Sequence, residues 1–197
     1  MTLAFGAYFF LIAFVLAHLE IQIEGPHGWA EKLPTWRWDG PGVRRWLGKP
    51  VTGYHLCLVT FILLFLHVPQ FYGGSWEREA ELLAMFFLLT VTWDFLWFAC
   101  NRHFGVARFR KGQVWWFPAW ALGVPQPYLM GIALSLAAAL APALWMGAWA
   151  DRAQRWTLVV GELLVLAVLV VAVTRIPRRR GSALPAVVRV AGSVKPE

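Results

Sequence analysis

Five runs of about twenty apolar residues, each long enough to cross a bilayer as a helix, constrain this chain more than any other feature. They cover roughly 3–23, 52–72, 80–100, 125–147 and 156–174. In hydrocarbon the backbone must satisfy its own hydrogen bonds, and a helix does so within one segment. The alternating pattern of a membrane-barrel strand is absent. The expected fold is therefore all-α, a polytopic membrane bundle of five helices. Charged residues make up 15% of the chain, where a soluble domain carries about a quarter. Little chain is left for a soluble unit. The segment 1–176 reads as a single transmembrane domain, and 177–197 as a basic, flexible tail.

The basic residues are sorted by side. Of the 18 Lys and Arg residues, 15 fall in the segments 24–51 and 101–124 and in the stretch from Arg175 onward, which lie on the same side of a five-helix bundle. The other side holds Arg78, Arg152 and Arg155. Positive loops stay in the cytoplasm, so the N-terminus is expected outside and the C-terminus inside. Arg178, Arg179 and Arg180 read as an anchor just past the last helix. The first run has no basic n-region, and Glu20 and Glu24 stand where a cleavage site would lie, so it reads as a retained helix. The pI near 10 belongs to membrane-flanking loops that meet lipid headgroups, and nucleic acid is not an expected partner. The compact form, with no intracellular targeting signal, makes a prokaryotic plasma membrane the expected location.

The segments 24–51 and 101–124 mix Arg and Lys with Trp29, Trp36, Trp38, Trp46, Trp115, Trp116 and Trp120. That mixture suits the headgroup region. Prolines 26, 34, 41 and 50 break the first segment, and a short amphipathic helix is expected near Gly28–Leu33. Thr52 is placed to cap the second membrane helix. Ala, Leu and Gly in the fourth run permit close helix contact. The Val- and Leu-rich fifth run is expected to face lipid. Cys57 and Cys100 have no spacing that implies zinc or a disulfide.

Ionisable groups within membrane helices are costly and usually functional. Here they gather at one depth. Glu20 and Glu24 end the first run, four residues apart and so on one helix face. His55 opens the second. Asp94 lies near the end of the third, in Val91–Phe98, with His103 just beyond. Glu20, Glu24, His55, Asp94 and His103 are thus the candidate catalytic residues. Two chemistries fit them. One is proton transfer between carboxylates and imidazole. The other is binding of a divalent metal, although the Glu-x-x-His pairs of di-iron bundles are missing within one helix. A second set, His67, Glu81 and Glu162, is expected in the outer half, paired internally or with Arg78.

The function expected from these residues is an enzyme acting on a lipid-soluble substrate near the cytoplasmic membrane face. The arrangement resembles, in architecture alone, compact intramembrane enzymes such as membrane terpene cyclases. The alternatives are a non-catalytic membrane subunit or scaffold, or a homo-oligomeric carrier of protons or cations. A phosphate-binding loop, a dinucleotide glycine pattern and a catalytic serine elbow are all absent.

Overall fold

The computed structural model describes residues 3–175. The expected tail, 177–197, and the basic triplet within it lie outside the described residues. Five helices are long and apolar enough to cross a membrane: Leu3–Glu24, Gly53–Tyr72, Trp76–Cys100, Gln126–Met146 and Trp149–Arg175. In chain order the elements are α1 (Leu3–Glu24), β1 (Arg37–Trp38), α2 (Pro41–Leu47), β2 (Val51–Thr52) and α3 (Gly53–His67). Then follow α4 (Trp76–Cys100), β3 (Trp120–Ala121), β4 (Val124–Pro125), α5 (Gln126–Leu140), α6 (Ala143–Met146) and α7 (Trp149–Arg175). A 3-10 turn, Val68–Tyr72, prolongs α3.

Two helices begin earlier than the apolar runs indicate. Ser75 accepts a hydrogen bond from the Arg78 N–H at 3.2 Å and starts α4 at Trp76. The acids Glu77 and Glu79 in that first turn complement the helix dipole. Asp151 pairs with Arg155 at 3.0 Å in the first turns of α7. Hydropathy marks the hydrocarbon-spanning part, whereas capping and ion pairs carry each helix on into the polar zone.

α4 is the centre of the bundle, with α1, α5 and α7 packed around it. Met85, Leu89, Leu96 and Phe98 of α4 are fully buried. Phe9, Ala13 and Ala17 recur every four residues on the buried side of α1, as do Val159, Leu163 and Ala167 on α7. Small residues let backbones approach. At Gly131 of α5 a Cβ would stand 2.7 Å from the Val91 Cγ2 of α4. α3 is peripheral and exposes Leu56, Phe61, Leu64 and Phe65, while α7 exposes Leu164, Val165, Val168 and Leu169. Apolar surface this continuous suits lipid, not water.

The short helix expected over Gly28–Leu33 is not formed. That stretch is a series of turns, with Trp29 and Ala30 in the left-handed region at φ 57° and 51°, where L-residues cannot continue a helix. The segment's helix is α2. It has Pro41 at its start, where the missing N–H costs nothing, and Gly48 at its end with φ 70°. The chain then returns along β1 as β2, Arg37 opposite Thr52 and Trp38 opposite Val51. β3 and β4 pair likewise, Trp120 opposite Pro125. These two small hairpins cover one end of the bundle.

Candidate functional site

That covered end is where the acids meet. α1 ends there, α3 begins there, α4 brings Asp94 to it in its last turns, and α5 begins there with Tyr128. Glu20 and Glu24, one turn apart on α1, both turn inward, with side chains 9% and 2% exposed. Thr52 caps α3 and accepts from the His55 N–H at 3.3 Å. The same hydroxyl oxygen lies 2.7 Å from His55 Nδ1. Held by that bond, the imidazole presents Nε2 to both carboxylates, 3.5 Å from Glu20 Oε1 and 3.6 Å from Glu24 Oε1. Ligand atoms of Glu20, Glu24 and His55 all lie within 4.8 Å of one another.

The loop after α1 closes over this group. The Ala30 N–H donates to Glu24 Oε1 at 2.5 Å, and the Arg37 guanidinium donates to the Ala30 carbonyl. The left-handed turn at Trp29 and Ala30 is what aims that N–H back at α1. Trp29 stacks on His55, with ring centroids 4.0 Å apart and planes at 16°. Its indole N–H donates to the Pro50 carbonyl at 2.8 Å. Lys49 is buried, with Nζ 3.2 Å from the Trp29 ring centroid and 4.7 Å from that of Phe117. Burial pulls its ammonium down from 10.5 to about 8, against the opposing pull of Asp94, Glu20 and Glu24.

Asp94 is partly buried and accepts a hydrogen bond from the Tyr128 hydroxyl. Its charge acts on Lys49 and His55, which joins it electrically to the α1 acids. Two polar atoms beside the group make no hydrogen bond of ordinary geometry among the described residues. The Trp93 indole N–H is buried and directed at the Glu20 carboxylate, outside ordinary hydrogen-bond geometry. The Tyr54 hydroxyl is buried near Glu20 and Glu24 without a hydrogen bond. Asn101 ties the scaffold together. It is 1% exposed, its Nδ2 donates to the Gly25 carbonyl at 2.8 Å, and its Oδ1 accepts from the His103 N–H at 2.9 Å.

The structure thus brings together Glu20, Glu24, His55 and Asp94. It does not bring in His103, whose side chain is exposed on the loop after α4; its backbone, not its ring, serves the site. Sequence reasoning missed Lys49, Trp29, Thr52 as a partner of the His55 ring, Tyr54 and Tyr128. Lys49 reads as one more interfacial cation, and only the fold shows it turned inward. Its one local signal is Pro50, which ends the polar segment directly before the α3 cap.

The outer set is arranged differently from expectation. His67 pairs with Glu79 at 2.7 Å, and Gln70 Nε2 donates to the same carboxylate at 2.8 Å. Arg78 donates to the Gly73 carbonyl at 2.8 Å, and Arg152 pairs with Glu77. Glu162 lies against Gly6 of α1. The turn after α3 folds back onto the start of α4, so the nearest acid to His67 is Glu79, three residues inside that helix. No family model matches the chain, and no curated protein or solved structure matches it.

Proposed function

We propose that the protein is an intramembrane enzyme acting on a lipid-soluble substrate, with Glu20, Glu24, His55 and Asp94 as its reacting groups. One observation carries this reading: Tyr128, which bonds Asp94 of the polar cluster, also lines an apolar groove on the flank of the bundle. The groove has a volume of about 410 Å³ and runs between α4, α5 and α7, walled by Leu88, Val91, Phe95, Ile132 and Leu163. Tyr128 lines it with its ring, while its hydroxyl bonds Asp94. A hydrocarbon chain in that groove would place its polar end at Tyr128 and Asp94. Apolar walls bind the chain, and a few convergent polar groups orient its head. Asp94 then exchanges a proton with the head of the substrate, beside the group formed by Glu20, Glu24 and His55.

The cluster shares its end of the bundle with Lys32, Arg37, Arg44, Arg45, Arg102, Arg108, Arg110 and Lys111. On the positive-inside rule this end faces the cytoplasm, and we place the protein in a prokaryotic plasma membrane. Trp36, Trp38 and Trp115 are exposed at the same end, where they suit contact with lipid headgroups. A carrier reading has less support. Between the two polar ends the buried core includes Leu66, Met85, Leu88 and Leu89, an apolar layer that would oppose passage of a proton or cation.

The test is turnover in reconstituted vesicles. Wild type, Asp94→Asn and Glu20→Gln are incubated with total membrane lipid, and the lipids are profiled by mass spectrometry. A species consumed by wild type and spared by both variants supports the reading. Folded wild type that alters no lipid, or variants that match it, would leave the cluster with a packing role.

A further inference from the structure

We infer that Glu20, Glu24 and His55 form a binding site for a single divalent first-row metal ion, of the zinc or iron(II) type. The inference rests on the cluster described above and adds an ion to it; it does not require a lipid substrate.

The spacing is the first argument. The Nε2–oxygen separations of 3.5 and 3.6 Å are long for a charge-assisted hydrogen bond, which closes to about 2.8 Å. They match the edge of a coordination shell. Two ligand atoms bonded at about 2.1 Å around a tetrahedral centre stand about 3.4 Å apart. An imidazole and two carboxylates suit zinc, iron(II) or manganese, and three protein ligands leave one position open.

The surroundings are the second argument. A metal-bound histidine donates its other ring N–H to an oxygen, which fixes tautomer and orientation. Thr52 Oγ1, 2.7 Å from His55 Nδ1, is placed to accept that N–H. The Ala30 N–H on Glu24 orients a carboxylate in the same way. The Tyr54 O–H makes no hydrogen bond among the described residues, and the Trp93 N–H, on a side chain 5% exposed, is directed at Glu20 without reaching ordinary hydrogen-bond geometry. Donors buried without acceptors cost free energy. An oxygen donor completing the shell of an ion, from water or a substrate, would serve them.

Charge is the third. Glu20, Glu24 and Asp94 face one ammonium, that of Lys49. The carboxylates outnumber that ammonium, and a divalent ion suits the excess of acid. Burying unmatched charge is the expensive alternative.

The experiment uses the full-length protein in detergent. Metal content is measured on the protein as isolated. The protein is then stripped with a chelator and titrated with Zn²⁺ by calorimetry and with Co²⁺ by visible absorption. About one ion per chain is expected, with the d–d bands of a low-coordinate Co²⁺ site that Zn²⁺ abolishes. His55→Ala and Glu24→Gln should lose the ion, and Glu79→Gln at the other end should keep it. Thr52→Val should weaken affinity by about ten- to a hundredfold. Folded wild type that takes up no Zn²⁺ and gives no Co²⁺ bands overturns the inference whatever the variants do. So does metal uptake that is equal in wild type and His55→Ala. Metal bound without lipid turnover would overturn the enzyme reading alone, and turnover by protein that takes up no metal would overturn this one alone.

Discussion

Lys49 gives the molecule a pH dependence that can be worked out from its surroundings. Its ammonium is held at about 8 in the folded chain, against 10.5 for an ordinary lysine. Below pH 8 both folded and unfolded chains carry the proton, and the cost of burying that charge is fully present. Between about 8 and 10.5 the unfolded chain still holds a proton that the folded chain has released. Stability rises with pH wherever the unfolded state binds more protons. The interval, at about 1.4 kcal/mol per pH unit, amounts to about 3 kcal/mol of added stability at its upper end. For a chain of this length that corresponds to about 6–12 °C in Tm. The assay is thermal unfolding in detergent and metal-free buffer, followed by tryptophan fluorescence, for wild type and Lys49→Met. Other groups titrate in both proteins, so the difference between the curves reads Lys49 together with the acids it faces, Glu20, Glu24 and Asp94. Wild type should gain those degrees on the variant between pH 8 and 10.5. Parallel curves across that range would refute the buried placement of the ammonium.

Two packing outcomes follow from the same geometry. Tyr128→Phe removes the hydroxyl bonded to Asp94 and leaves a carboxylate short of a donor, so chemical denaturation should show a loss of about 1.5–3 kcal/mol. Gly48→Ala puts a Cβ on a residue at φ 70° and 2.3 Å from Pro118 Cγ. It should cost more than about 1 kcal/mol and loosen the loop that seats Lys49, read as faster amide exchange in residues 41–52.

Much of the architecture is legible in the sequence because hydropathy is local and additive. Each run of about twenty apolar residues must become a helix, whatever its neighbours do. The run 125–147 becomes α5 and α6 because Pro142 lacks the N–H that a continuous helix needs there. The convergence of Glu20, Glu24, His55 and Asp94 at one end was legible for the same reason. Alternating helix direction sets the depth of each residue, and a period of four sets the shared face of the α1 acids.

What the sequence by itself determined is therefore depth: which residues lie at which end of a five-helix bundle. What only the tertiary structure decided is partnership. Lys49 turns inward and His103 outward, although both sit in basic loops at the same end of the bundle. Trp29 stacks on His55, Tyr128 bonds Asp94, and His67 finds Glu79 in place of Glu81 or Glu162. Each of these pairings depends on the rotation of a helix about its axis or on the path of a loop through left-handed turns. Those are set by packing between segments far apart in the chain, and no local pattern of residues encodes them.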